Sequence, residues 1–157
     1  MKLSSQEEYG LRCLLRVGHA GGSLTLPELS RAEGISEANA AKMMRVLKRG
    51  GFVKAARGQV GGYSLARPAG EIAVGNVLAV LGGRLFDSNF CGTHSGLASF
   101  CTHMGDCSIR SVWRTLQNAI DQVLGTLTLK DLLVSEQEMN LWANSRGPSL
   151  PTFSQQA

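Results

Sequence analysis

The feature that most constrains this 157-residue chain is a run of helix start and stop signals in residues 25–51. Thr25-Leu26-Pro27-Glu28 sets a capping Thr three residues before a Glu, the reciprocal capping box. Pro lies in the first turn, where its missing N–H costs nothing. Gly34 supplies a turn after Glu33, Ile35 packs, and Ser36 caps a further helix that runs to Arg49 before Gly50-Gly51 stops it. Two helices joined by a tight glycine-containing turn form a helix-turn-helix.

At about 100° per residue, Ala40, Met43, Met44 and Leu47 share one side of the second helix, an ordinary core stripe. Ala38, Lys42, Arg45 and Arg49 lie on the opposite side, which would suit a DNA major groove. The next stretch changes period. Phe52 to Ala56 and Tyr63 to Ala66 read as short strands around Arg57-Gly58-Gln59-Val60-Gly61-Gly62, a β-hairpin wing whose glycines allow a close backbone approach. With neither strand-loop-helix context nor a P-loop Lys-Ser/Thr, this glycine loop is no nucleotide fingerprint. Candidate DNA contacts are therefore Ala38, Asn39, Lys42, Arg45 and Arg49 on the helix, with Arg57 and Gly58 in the wing reaching the minor groove.

Charge supports this placement. Residues 1–70 carry 11 Lys+Arg against 5 Asp+Glu and residues 71–157 carry 5 against 7, so the formal +4 arises wholly in the first half. Lys42, Arg45, Lys48, Arg49, Lys54 and Arg57 fall together with no acid between them, as expected of a surface that meets phosphate. The alternative is a solvated face whose counter-charges lie elsewhere in the fold.

The flanking sequence completes a mainly α architecture. A first helix begins near Ser4 or Ser5, each followed three residues later by Glu7 or Glu8, and ends at Gly21-Gly22; Leu11, Leu14, Leu15 and Gly18 form its core face. Val74, Val77, Leu78 and Leu81 mark a short amphipathic helix stopped by Gly82-Gly83. Residues 84–107 are aperiodic. Ile109, Trp113, Leu116, Ile120, Val123 and Leu127 then repeat at heptad spacing, a seam that predicts a long dimerisation helix. The division is a winged helix-turn-helix domain at 1–83, a cysteine loop at 84–107, the dimerisation helix and a terminal helical turn at 108–134, and a mobile tail at 135–157.

No stretch approaches the roughly 20 apolar residues of a membrane span. The amino terminus turns acidic where a signal peptide turns apolar, so a cytoplasmic protein is expected. There, cysteines serve as ligands, sensors or core residues rather than disulfides. Cys13 and His19 lie on the first helix, the one as packing and the other at the surface. Cys91, Cys101 and Cys107 lie in the aperiodic stretch, where thiolates can close a loop around an iron-sulfur cluster or, with His, around zinc. Reactive or buried thiols are the plainer alternative. A thiol oxidoreductase using Cys107 lacks a CxxC pair and any nucleophile-base-orienter set, so no enzyme is expected.

The order of parts resembles the IscR and NsrR type of winged-helix regulator, the Rrf-two family, over about residues 1–134. The resemblance is carried by the helix-turn-helix, the wing Arg57-Gly58-Gln59-Val60-Gly61-Gly62-Tyr63-Ser64-Leu65, the segment Glu71-Ile72-Ala73-Val74, the three cysteines before the long helix, and Leu127-Thr128-Leu129-Lys130-Asp131-Leu132. It implies a homodimeric bacterial transcription factor that binds operator DNA under control of an iron-sulfur cluster of two or four irons, with Cys91, Cys101 and Cys107 as ligands. Two departures stand out. Nine residues separate Cys91 from Cys101, where the family usually has five, and Arg110 stands where the IscR branch has a ligand His. In the nitric-oxide and redox-sensing branches the fourth ligand is an acid on helix 1 of the other subunit, the position of Glu8 here. His103 competes for that role, and His94 less so.

Overall fold

The computed structural model describes residues 3–56 and 61–146. Helices α1 (Ser5–Ala20), α2 (Leu26–Glu33) and α3 (Glu37–Arg49) lead into strands β1 (Val53–Ala56) and β2 (Gly62–Leu65). A single 3₁₀ turn (Ala69–Glu71) precedes α4 (Val74–Gly82), α5 (Phe90–Thr93), α6 (Ser108–Gly125), α7 (Leu129–Leu132) and α8 (Glu136–Arg146).

Local sequence sets the helix starts. Ser4 Oγ accepts from the Glu7 N–H at 3.3 Å while the Glu7 carboxylate accepts from the Ser4 N–H at 2.8 Å, satisfying two orphan donors at once. Thr25 and Glu28 repeat this at α2, and Thr128 and Asp131 at α7. Gly34 ends α2 at φ 64°, a left-handed conformation that only glycine adopts at no steric cost, and this lets α3 follow directly.

The core is made by α1, α2, α3, α4 and the hairpin, with Leu14, Leu29, Met44, Leu47, Phe52, Ile72, Val77 and Leu129 fully buried. On α1 the innermost residues are Gly10, Cys13, Leu14 and Val17, and Leu11 and Leu15 are half-buried and pack against the core, so the core face includes the expected residues and extends beyond them to Gly10 and Val17. At Gly10, Leu81 of α4 occupies the space a side chain would need. Cys13 is packing, as its position in the helix suggested; burial, with the Glu33 charge second, pushes its thiol up to about 11.

Strands β1 and β2 pair antiparallel with Val53 opposite Leu65. Leu24, before α2, adds a bridge to Tyr63 through N–H to carbonyl bonds of 2.9 and 2.7 Å, which ties the wing to the helix-turn-helix. Arg57 and Gly58, the expected wing-tip contacts, lie outside the described residues. A second tie joins α1 to the helix-turn-helix. The buried Glu33 carboxylate accepts from Arg12 Nε at 3.0 Å and from Arg16 Nε at 2.7 Å, and the Glu33 carbonyl accepts from the Arg12 guanidinium at 2.6 Å.

Two expectations for the carboxyl-terminal half are corrected. The heptad seam does not reach Leu127, because α6 ends at Gly125 and Leu127 is buried in its own chain, where its carbonyl accepts from the Val74 N–H. The expected tail from 135 begins instead with helix α8, whose start repeats the capping box: the Ser135 hydroxyl accepts from the Glu138 N–H, and the Glu138 carboxylate from the Ser135 N–H. Residues 147–157 lie outside the described ones. Among the described residues no helix is long and apolar enough to cross a membrane.

Candidate nucleic-acid interface and cysteine segment

On α3 the sequence stripe becomes two faces. Ala40, Met43, Met44 and Leu47 are buried against the core, and Ala38, Asn39, Lys42, Arg45 and Arg49 are exposed. Ser36 Oγ holds the Asn39 N–H at 3.2 Å, which fixes the amino-terminal end of this helix. The ion pairs among the described residues join Arg12 and Arg16 to Glu33, and Arg84 to Asp121. Lys42, Arg45, Lys48, Arg49 and Lys54 have no ion-pair partner among the described residues, so their charges are solvated and open to a partner. Such cations release counterions when they meet phosphate. Lys42→Ala is expected to reduce the slope of log affinity for duplex DNA against log salt by about 0.9 and to weaken binding several-fold at low salt. A fluorescence-anisotropy salt titration checks this, and an unchanged slope would remove Lys42 from the interface.

The cysteine segment is built differently. Cys91 lies in the short helix α5, Cys101 in the following loop, and Cys107 at the N-cap of α6, where its Sγ accepts from the Arg110 N–H at 3.4 Å. All three are free and half-buried. Within one chain no three His, Cys, Asp or Glu side chains among the described residues come together to hold a metal ion. The candidate fourth ligands differ in availability. His94 Nδ1 lies 2.8 Å from the Phe90 carbonyl, and its ring stacks on that of Phe90 at 4.1 Å. His103 has an exposed ring, whereas its carbonyl is occupied. Glu7 is consumed by the α1 capping box, but Glu8 is exposed, with its carboxylate unpartnered among the described residues.

Helix α6 holds both ends of this segment, a role that sequence reasoning missed. Gln117, the buried residue of α6, accepts the Phe86 N–H at 3.0 Å and donates to Asp121 at 2.9 Å; Asp121 in turn pairs with Arg84. At the other end Arg110 donates to the carbonyls of His103 and Met104 at 3.1 and 2.8 Å. The only sequence signal was spacing, with Arg110, Gln117 and Asp121 on one face. An adjoining face leaves Ile109 60%, Val112 55% and Leu116 41% exposed, with Trp113, Ile120 and Val123 half-buried.

A helix-turn-helix with an unneutralised basic helix and a hairpin tied to it defines a winged-helix, DNA-binding transcription regulator. Residues 3–135 match the Rrf2 family, described as iron-dependent transcriptional regulators, and the chain belongs to that family. It is 31% identical over 140 residues to Protein rrf2 of Nitratidesulfovibrio vulgaris, covering 85% of this chain and 87% of the relative. Among solved structures it resembles T. potens IscR, with a TM-score of 0.65 at 29% identity over 85% of this chain and 86% of that one. It also resembles CymR, the global cysteine regulator of B. subtilis, with a TM-score of 0.66 at 25% identity over 85% of this chain and 96% of that one.

Proposed function

We propose that this Rrf2 regulator works as a homodimer whose operator binding is controlled by an iron-sulfur cluster held by Cys91, Cys101 and Cys107, with Glu8 of the partner subunit as fourth ligand. The observation that carries the reading is the placement of three free, half-buried cysteines on a segment clasped to one face of α6, while an adjoining face of that helix carries exposed apolar side chains. Three unbridged thiols are a soft donor set that suits iron-sulfur chemistry. A bound cluster would supply a redox-active centre able to exchange its weakest ligand. The cysteines do not converge within one chain, so binding requires the segment to close, and Glu8 is the free carboxylate on α1 that a second chain can offer. On the DNA side, Lys42, Arg45 and Arg49 hold phosphates, Ala38 and Asn39 face base edges at the start of α3, and Arg57 and Gly58 enter the minor groove.

The test is purification without oxygen, followed by visible absorption and iron, sulfide and zinc analysis. Brown protein with comparable iron and sulfide supports the proposal, and colourless protein with stoichiometric zinc overturns it. The likeness to the cysteine regulator CymR favours one second reading, a thiol-redox site on the same cysteines with no cluster. Colourless, metal-free protein whose DNA binding changes on thiol oxidation would establish that reading instead.

A further inference from the structure

Arg110 grips the cysteine segment at two points. Its backbone N–H donates to Cys107 Sγ at 3.4 Å, and one guanidinium nitrogen donates to the carbonyls of His103 and Met104 at 3.1 and 2.8 Å. Between these points the Met104 N–H donates to the Cys101 carbonyl at 3.2 Å, so the stretch from Cys101 to Cys107 folds back on the first turn of α6. Hydrogen bonds from a charged donor are stronger than neutral ones, and a guanidinium cannot lose its proton. Among the described residues, no backbone–backbone hydrogen bond ties residues 101–106 to the rest of the protein.

We propose that Arg110 is the positioning residue of the cysteine segment: it keeps the stretch between Cys101 and Cys107 folded on α6 before any metal binds, and places a permanent positive charge on the segment that carries both thiols. The charge offsets the negative charge that thiolate ligands bring, and the fold lowers the ordering cost of closing the site. The part concerning cluster retention rests on the cluster reading above; the part concerning the fold of the segment does not.

Two measurements on the full-length protein separate these parts. Hydrogen exchange of the reduced, metal-free protein is read over residues 101–110 in the wild type, Arg110→Met and Arg110→Lys. Methionine keeps the aliphatic stem and removes the donors, and is expected to speed exchange there about tenfold without affecting α1–α4; lysine restores charge and donors and should recover part of the protection. The second measurement follows loss of the visible chromophore in chelator without oxygen, expected to be roughly tenfold faster in Arg110→Met, as for other groups that orient metal ligands. Unchanged exchange overturns the proposal. Faster exchange with unchanged chromophore loss overturns the retention role alone. If exchange responds but the wild type never holds iron, the cluster reading fails and the grip of Arg110 on the segment stands.

Discussion

Leu116→Glu is expected to turn the proposed dimer into a monomer without unfolding the chain. Leu116 is 41% exposed and shares a face of α6 with Val112 at 55% and Ile109 at 60%, so within one chain a glutamate there keeps its water and costs the fold little. The C-terminal end of α6 is what packs on its own domain, with Leu124 against Gly75 of α4. If two such faces meet about a two-fold axis, each dimer must bury two carboxylates with no cation opposite. An uncompensated buried charge costs several kcal/mol, so the dimer dissociation constant should rise on the order of a thousandfold. Sedimentation velocity at micromolar concentration reads this directly. A Leu116→Glu protein that still sediments as a dimer would show that the face is not the interface, and a wild-type monomer would remove the dimer altogether.

What the sequence revealed depended on how local each cause was. The starts of α1, α2, α3 and α7 were legible because each is fixed by a side chain within three residues, Ser4, Thr25, Ser36 and Thr128. The same signal at Ser135 and Glu138 was passed over because the composition beyond it reads as a tail, and α8 was lost with it. On α1 the expected Leu11, Leu14 and Leu15 do meet the core, but the burial of Gly10 was not legible because its cause is remote: Leu81 takes the space there, and nothing near Gly10 says so. Leu127 continued the heptad spacing, but a period cannot show that the helix has ended at Gly125. In the site, the three cysteines were evident from residue type, and the basic stripe from residue type and helical spacing. Arg110 and Gln117 were not, since a polar residue on a long helix looks solvated until the segment it holds is in view.

The second large effect concerns the cysteines. Replacing Cys91, Cys101 or Cys107 with Ala removes one of three thiolates from the proposed cluster, and each variant is expected to purify without oxygen as colourless protein. Glu8→Ala should behave differently, because water or an added thiol can fill a carboxylate's place on iron: the chromophore persists but shifts and is lost faster. The geometry of α1 would make that proposed ligand a useful one. Glu8, Arg12 and Arg16 are spaced by four residues on one face, and the two arginines hold the buried Glu33, the residue before the Gly34 turn. In the proposed dimer, a pull at Glu8 from the partner subunit would bear on a helix clamped to the helix-turn-helix, and its release would let the two α3 helices change their separation on DNA. Operator affinity measured with and without the cluster should differ in the wild type and differ much less in Glu8→Ala. If His103→Ala gives the shifted spectrum and Glu8→Ala leaves it untouched, the fourth ligand is the loop histidine, and control does not run through α1.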